Sequence, residues 1–468
     1  MPFKFLPLRP SLEQLKKQAK DLLKDFQANN VLAIARFQQF HPQYVNGKEP
    51  EISLSDAQWV IAREHGYESW SKIKRHVESL QTVEQEVANL RNAFATGDLE
   101  AKEQLIEGHH SPNRFENLSP HADTLSDHDA RVLLANKRGY AHWVKYHNYL
   151  HLDANVRAVI EAIHDNNLQR LEKLLAEDPK AANPHYVPGY EPLDPEFRNY
   201  INDSIPLFEV SNCVFDGQIP VGTDEYAMVR VLIEAGADPE IDHGHPMTAA
   251  VSYNAINVVR ALLDHGATVD GPYGHGCPMA FAMHFGFDEV AKLLAQRGAK
   301  VDLRFAAGLG SLETVKSFIK PDGSLAPDAG ILADAYTRSQ GPDDESRYRV
   351  ERSRENILLQ AFYFACRNGN FDVAQFLLNQ GIDINAIVPG LDRDVATLHW
   401  CSWIGAQWGA TGSTQPATQR SLNAVEFLLA QNADANASGE NGTKPLDWAS
   451  TEAIRSRLTA HGAKSGDQ

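Results

Sequence analysis

The sequence predicts an all-α protein: a helical-repeat solenoid preceded by a duplicated helical domain. Two observations carry that expectation. Between residues 229 and 466 one ending recurs six times: paired apolar residues on a helix, then Gly or Asn, then a short polar run. Nearer the start, the segment 54–77 (LSDAQWVIAREHGYESWSKIKRHV) returns at 125–150 (LSDHDARVLLANKRGYAHWVKYHNYL). Units of this kind bury a continuous core only by stacking on one another. The expected division is residues 1–153 for the duplicated domain and 154–468 for the repeats.

Length and composition agree. A chain of 468 residues is too long for one compact core, and a 43% apolar share is ordinary for a globular protein. The formal charge is −17, from 44 basic and 61 acidic side chains. Residues 1–80 carry +3 and the remainder −20. An acidic array repels a phosphate backbone, so nucleic acid is not an expected partner. The same acid also serves simply to keep a long solenoid in solution. Cys213, Cys277, Cys366 and Cys401 are widely spaced with no CxxC pair, which fits a reducing compartment. The start turns charged and amphipathic at once and lacks the apolar run, about 7–15 residues long, of a signal peptide. No stretch reaches the roughly 18 apolar residues that span a bilayer. The expected location is the cytoplasm, with no membrane partner.

In the duplicated part, Gly66-Tyr67 and Trp70 correspond to Gly139-Tyr140 and Trp143. Upstream, 26–42 is echoed by 94–112. Gly-Tyr-x-x-Trp reads as a helix stop and restart: the Gly takes a left-handed conformation, and Ser69 caps the next helix. Tyr67 and Trp70 could form a ligand platform, but aromatics at this spacing more often pack into a core. On LEQLKKQAKDLL (Leu12 to Leu23) and AREHGYESW (Ala62 to Trp70), this part resembles a helical module that precedes ankyrin repeats in many bacterial proteins. The second copy departs at Asn136-Lys137-Arg138, where the first has Arg63-Glu64-His65. The resemblance implies a bacterial origin more than a function.

The recurring endings are VRVLIEAGADPEID (229–242), VRALLDHGATVDG (259–271), AKLLAQRGAKVDL (291–303), AQFLLNQGIDINA (374–386), VEFLLAQNADANA (425–437) and IRSRLTAHGAKSG (454–466). They resemble ankyrin repeats, each a turn, two antiparallel helices and a finger, about 33 residues long. First helices open at IPLFEVS (205–211), HPMTAAV (245–251), CPMAFAM (277–283) and KPLDWAS (444–450), and residues 158–183 read as a capping half-repeat. Thr397-Leu398-His399 comes closest to the family's TPLH signature, in which the His bridges backbone groups between repeats. The resemblance therefore implies a structural role for His399.

Four connections break the period: 184–203, 212–224, 320–354 and 406–421. Unstructured loops beyond about 12–15 residues are commonly functional or disordered. Segment 336–352 is charged and rich in breakers, whereas 184–203, rich in Pro and Tyr, reads as a flap. The loop 406–421, with Trp408, suits a lid or a partner contact. At 301–319 the finger runs straight into its helix. Arg304 then falls where the TPLH His would lie, either paired with an acid between repeats or aimed at an anion.

In ankyrin proteins contacts come mostly from finger tips and from the end of the first helix. Carried onto this chain, the helix ends are Asn212-Cys213, Ser252-Tyr253, His284-Phe285, Gly308-Leu309, Arg367-Asn368 and Trp403-Ile404. The finger positions are Asp242, His243, His245, Tyr273, His275 and Asp392. The expected binding residues are Tyr253, His284, Phe285, Arg304, Arg367, Trp403 and Trp408. His243, His245, His275 and Cys277 lie on adjacent fingers about 10 Å apart. Zinc needs three or four ligands at about 2.0–2.3 Å, so no metal is expected, and no cofactor. No Walker loop, GxSxG, HExxH or kinase set occurs. The acids that could serve hydrolysis are Asp216, Glu225 and Glu209, with His284 beside them. Catalysis is left open.

The favoured reading is an interaction scaffold that holds a protein or peptide along a concave groove. The alternative is an enzyme or small-molecule receptor, a carboxylate hydrolase among the options, with a pocket closed by the inter-repeat insertions.

Overall fold

The structure, a computed structural model, describes residues 4, 6, 10–42, 52–106, 122–138, 140, 143–187, 205–334, 350–391, 393–404 and 414–466. Among these residues the regular elements are all helical, with three isolated β-bridges: Leu152–Tyr186, Ile319–Leu325 and Ile387–Ala396. The chain divides into two compact units. One is Met1–Ala158 with Pro184–Ile205; the other is Val159–Asn183 with Pro206–Gln468.

In the first unit, α1 (Leu12–Gln27), α2 (Val31–Phe40), α3 (Leu54–Glu64) and the front half of α4 (Trp70–Thr96) enclose one core. Each begins at a side-chain cap, because the first amides of a helix have no internal acceptor. Ser11, Asn30, Ser53 and Ser69 accept amides two or three residues on, and Ser53 completes a capping box with Asp56. Gly66 ends α3 with φ of 80°, and the Tyr67 amide returns to the Ala62 carbonyl. Tyr67 is buried and Trp70 packs against the same core. The back half of α4 brings Leu80, Val83, Val87 and Phe94 to a second core with α6 (Asp127–Lys137) and α7 (Trp143–Leu150). Between them lies α5 (Leu99–Ile106); Gly139 is outside the described residues.

The second unit is an array of helix pairs. The first helices are α8 (Ala154–His164, from Val159 onward), α10 (Pro206–Phe215), α12 (Ile241–Ser252), α14 (Cys277–Phe285), α16 (Leu303–Gly308), α18 (Arg354–Arg367) and α20 (Thr397–Ser402). The second helices are α9 (Leu168–Glu177), α11 (Glu225–Glu234), α13 (Ile256–Asp264), α15 (Asp288–Gln296), α17 (Leu312–Ser317), α19 (Phe371–Leu378) and α21 (Thr414–Ala430). A 3₁₀ turn at Pro445–Trp448 and α22 (Glu452–Ala460) end the array. From α10 to α20 each first helix packs on the next.

One hydrogen bond repeats along the fingers. A side-chain oxygen near the end of one finger accepts a backbone amide of the next: Asn183 from Asp238 at 3.0 Å, Asp270 from Lys300 at 2.9 Å, Asn385 from Asp434 at 2.8 Å and Asn436 from Lys464 at 2.8 Å. Glu240 makes the same contact to Thr268. Each such bond contributes about 1 kcal/mol. Between two fingers the backbones come close: Asp242, His243 and Gly244 turn with φ of 50°, 59° and 77°, and a Cβ on Gly244 would meet Pro272 Cδ at 2.6 Å. Asp302 makes a longer version of this bond, accepting the Leu332 amide at 3.3 Å, and its other oxygen accepts the amides of Arg304 and Phe305 and caps α16.

The 184–203 segment, read from sequence as a flap of the repeats, has its described beginning bound within the first unit. The Asp153 amide donates to His185 O, the Val187 amide donates to His151 O at 2.8 Å, and Val187 joins the first core. The remainder, 188–203, is outside the described residues. Beneath this strip His76, His147 and His151 form a buried column, with ring centroids 5.0 and 4.4 Å apart. Burial, then neighbouring positive charge, pushes them down to about 3, 3 and 4. All three are neutral at pH 7.

That column makes the first unit acid-labile. The unfolded chain takes up protons below its ordinary histidine pKa of about 6.5, while the folded column resists. Stability is therefore complete above about pH 6.5 and falls as the pH drops from there toward about 3, by up to about 1.4 kcal/mol per pH unit for each histidine. Urea unfolding at pH 7 and pH 5 measures this. His76→Phe should flatten the slope, and an unchanged slope would show that the column does not bear it.

Candidate functional site

The ends of four first helices carry half-buried aromatic side chains, and that of α16 a half-buried leucine. Phe215 ends α10, Tyr253 follows α12, Phe285 ends α14 with Phe287 just beyond, Leu309 follows α16, and Trp403 follows α20. Phe215 and Tyr253 stack at 4.5 Å, Phe285 and Phe287 at 5.7 Å, and Phe281 and Phe285 at 6.1 Å. Trp403 meets Trp400 edge-on at 5.8 Å. Of the helix-end positions carried over from the family, Tyr253, Phe285, Leu309, Asn368 and Trp403 are half-buried, while Cys213, His284, Gly308, Arg367 and Ile404 are buried. Trp408 and Asp392 lie outside the described residues.

The row is fixed from below by donors that meet helix C-terminal carbonyls, the groups a helix leaves without partners. Arg367, itself the last residue of α18, donates Nε to the His284 carbonyl at 3.0 Å. Its Nη1 donates to the carbonyls of Trp400 at 3.0 Å and of Trp403. Its guanidinium lies 5.5 Å from the Trp403 ring centroid. A cation at three C-termini also opposes their dipoles. Asn368 Nδ2 donates to Met283 O at 2.9 Å, and Asn370 Nδ2 to Gly308 O at 2.6 Å. From α21, Arg420 donates to Gly286 O at 2.6 Å and to Asp288 at 3.2 Å. His284 is fully buried, its Nδ1 2.8 Å from the Tyr363 hydroxyl. Burial, then the Arg367 charge, holds its pKa well below the usual range, so the ring is neutral. His284 and Arg367 thus support the row from inside and do not line it.

Arg304 is likewise internal, 0% exposed. Its five N–H groups reach Asp302 twice, Asp334, Gln360 and the Leu332 carbonyl. Arg352 binds the same Asp334 at 2.7 Å and the same carbonyl at 2.8 Å. Two guanidinium groups and two carboxylates balance in charge. Of the two roles the sequence left open, the paired one is what the geometry holds, because every donor is already engaged. His399 is also buried, its Nε2 3.3 Å from Thr443 O in the next repeat.

The acids considered for hydrolysis do not converge on His284. Asp216 is exposed, and Glu225, at the start of α11, takes the Gly222 amide at 2.6 Å and Asn257 Nδ2 at 2.8 Å. On the fingers His243 meets the Tyr273 hydroxyl. The finger set His243, His245, His275 and Cys277 is not gathered to ligand distance. Among the described residues, a different trio is: His164, Glu209 and Cys213. Glu209 and Cys213 share one face of α10 at i and i+4, a spacing visible in the sequence. His164, from the preceding helix pair, carries no local mark of its proximity. Burial, then the charges of Glu209 and Asp216, pushes the Cys213 thiol up.

Residues 221–305 match the family described as ankyrin repeats in three copies, and residues 359–386 match a single ankyrin repeat. The second unit therefore contains ankyrin repeats. No curated protein matches the chain. Three solved structures are similar. The ankyrin repeat domain of Bcl-3, a unique member of the IkappaB family, is 18% identical, over 64% of this chain and 97% of its own, with a TM-score of 0.27. The human ASB11 ankyrin repeat domain is 16% identical, over 66% and 99%, at 0.29. An ankyrin repeat domain from Acinetobacter baumannii AYE is 15% identical, over 65% and 98%, at 0.25. Among the described residues no helix is long and apolar enough to cross a membrane.

Removing one side of a buried, balanced charge set strands the other. Arg304→Ala should cost about 3–5 kcal/mol by urea unfolding. Arg304→Ala combined with Asp302→Asn and Asp334→Asn should recover part of it. A loss below about 1 kcal/mol for the single variant would show that the network does not hold the fold.

Proposed function

We propose that the ankyrin repeats act as an interaction scaffold, holding a protein or peptide partner along the face formed by the first-helix ends. Tyr253, Phe285 and Trp403 are the proposed anchors, and Trp408 joins them on its place in the sequence. His284 and Arg367 are proposed to act beneath that face, fixing its backbone, and Arg304 to hold its repeat from the start of α16. The observation that carries this reading is the row itself: half-buried aromatics at the ends of α10, α12, α14 and α20, on backbone where donors from other repeats meet terminal carbonyls. Aromatic side chains dominate interface energetics, and a face ordered beforehand loses little entropy on binding. No cofactor enters this reading, and the proposed setting is a bacterial cytoplasm.

A comparative pull-down tests it. The wild-type chain and a Tyr253→Ala/Trp403→Ala variant are immobilised and exposed to the same bacterial lysate, with melting curves recorded for both. A partner held by wild type and lost by the variant, with melting points within a few degrees, is the expected result. Each anchor should be worth about 2 kcal/mol of binding. Retention of the partner by the folded variant would sink the assignment, and a collapsed melting transition would show these residues to be core.

A further inference from the structure

We propose that His164, Glu209 and Cys213 form a binding site for a single divalent, thiol-seeking cation of the zinc class. The site is separate from the aromatic row and does not depend on the scaffold reading. The ligand atoms of the three side chains, one nitrogen, one oxygen and one sulfur, all lie within 4.8 Å of one another. Glu209 and Cys213 are each 1% exposed, while the His164 side chain is 35% exposed. Two ligands are thus sealed inside and the third stands at the opening. His164 Nε2 is 2.9 Å from Glu209 Oε2. Ligands of a tetrahedral zinc at about 2.0–2.1 Å stand about 3.3 Å apart, so entry of the ion asks the His164–Glu209 pair to open by a few tenths of an ångström.

The donor set selects the ion. Magnesium and calcium take oxygen ligands in sixes to eights, whereas imidazole with thiolate suits zinc and its neighbours in the first transition row. Charge fits as well. Binding breaks the Cys213 S–H bond, forms a sulfur–metal bond and releases one proton to solvent. The thiolate and the Glu209 carboxylate then carry −2 against the ion's +2, with His164 neutral. Asn212 Nδ2 lies 3.5 Å from Glu209 Oε2, placed to orient the carboxylate. Three protein ligands leave a fourth position for water. The spacing that builds the site is plain helix geometry: Glu209 and Cys213 lie one turn apart on α10, facing the last residue of α8. Burying a carboxylate and a thiol side by side is costly in an apolar interior, and a bound cation offsets that cost.

The test uses the full chain, stripped with chelator and titrated with cobalt(II) and with zinc(II). One ion per chain is expected, with a thiolate-to-cobalt charge-transfer band. X-ray absorption of the zinc form should show one sulfur at about 2.3 Å among nitrogen and oxygen ligands at about 2.0 Å. Cys213→Ser should abolish the charge-transfer band, and Glu209→Gln or His164→Gln should weaken binding by at least about tenfold. The proposal is overturned if stripped wild-type protein takes up no stoichiometric ion, if folded Cys213→Ser keeps the band, or if the zinc shell contains no sulfur. The absorption measurement needs no variant, so it decides the matter even where Cys213→Ser does not fold.

Discussion

A stack of repeats must hand its orphaned polar groups from one repeat to another, and the finger ladder does this between successive fingers. Asn183, Glu240, Asp270, Asn385 and Asn436 each give one side-chain oxygen to an amide of the following finger. Without such acceptors, those amides and the close-packed fingers would have to rely on water. The ladder also sets the spacing of the first helices, and with it the spacing of everything carried on their ends. Where the long 320–354 connection interrupts the period, the next acceptor, Asp302, takes the Leu332 amide of that connection at 3.3 Å. Arg304 with Asp334, Gln360 and Arg352 adds to the joining of one repeat to the next. The directional hydrogen bond is reinforced there by a buried, balanced charge set spanning residues 302 to 360.

The same demand shapes the face proposed to bind. Helices of six to fourteen residues end there with carbonyls that no amide of their own helix reaches. Arg367, Asn368, Asn370 and Arg420 supply the donors, reaching back to carbonyls of earlier repeats. Each of them gives at least one donor to backbone, and Tyr253, Phe285, Phe287 and Trp403 are among the groups half-open to solvent. A polar substructure spent on order, under an aromatic surface left partly uncovered, separates what holds the face from what the face offers.

Much of this was legible in the sequence, and the misreadings have a common cause. The repeats, the helical class and the half-buried Tyr253, Phe285 and Trp403 follow from local periodicity and from position within a repeat. Position within a repeat puts His284 and Arg367 among the contact residues, and leaves Arg304 either paired with an acid or aimed at an anion. Their burial depends on partners far along the chain: Tyr363 for His284, Asp334 and Gln360 for Arg304, and Trp400 for Arg367. No periodicity encodes such pairs. The same holds for residues 185–187, whose partners at 151–153 lie in the first unit, and for His164, which bonds to Glu209 from 45 residues away.

Charge accounting then separates the buried groups from one another. The Arg304 set is neutral within itself, so its burial explains itself as structure. Glu225 sits at the first position of α11, where the helix dipole and the Gly222 amide favour a carboxylate. Cys213 is different. It is a buried thiol beside the Glu209 carboxylate, with Asp216 close enough to act on it, and the neighbouring histidine is its nearest route to solvent. A core position of a helix is ordinarily filled by an aliphatic side chain, and α10 instead buries a carboxylate and a thiol one turn apart. That departure from what stacking alone demands is the mark expected of a site with its own chemistry.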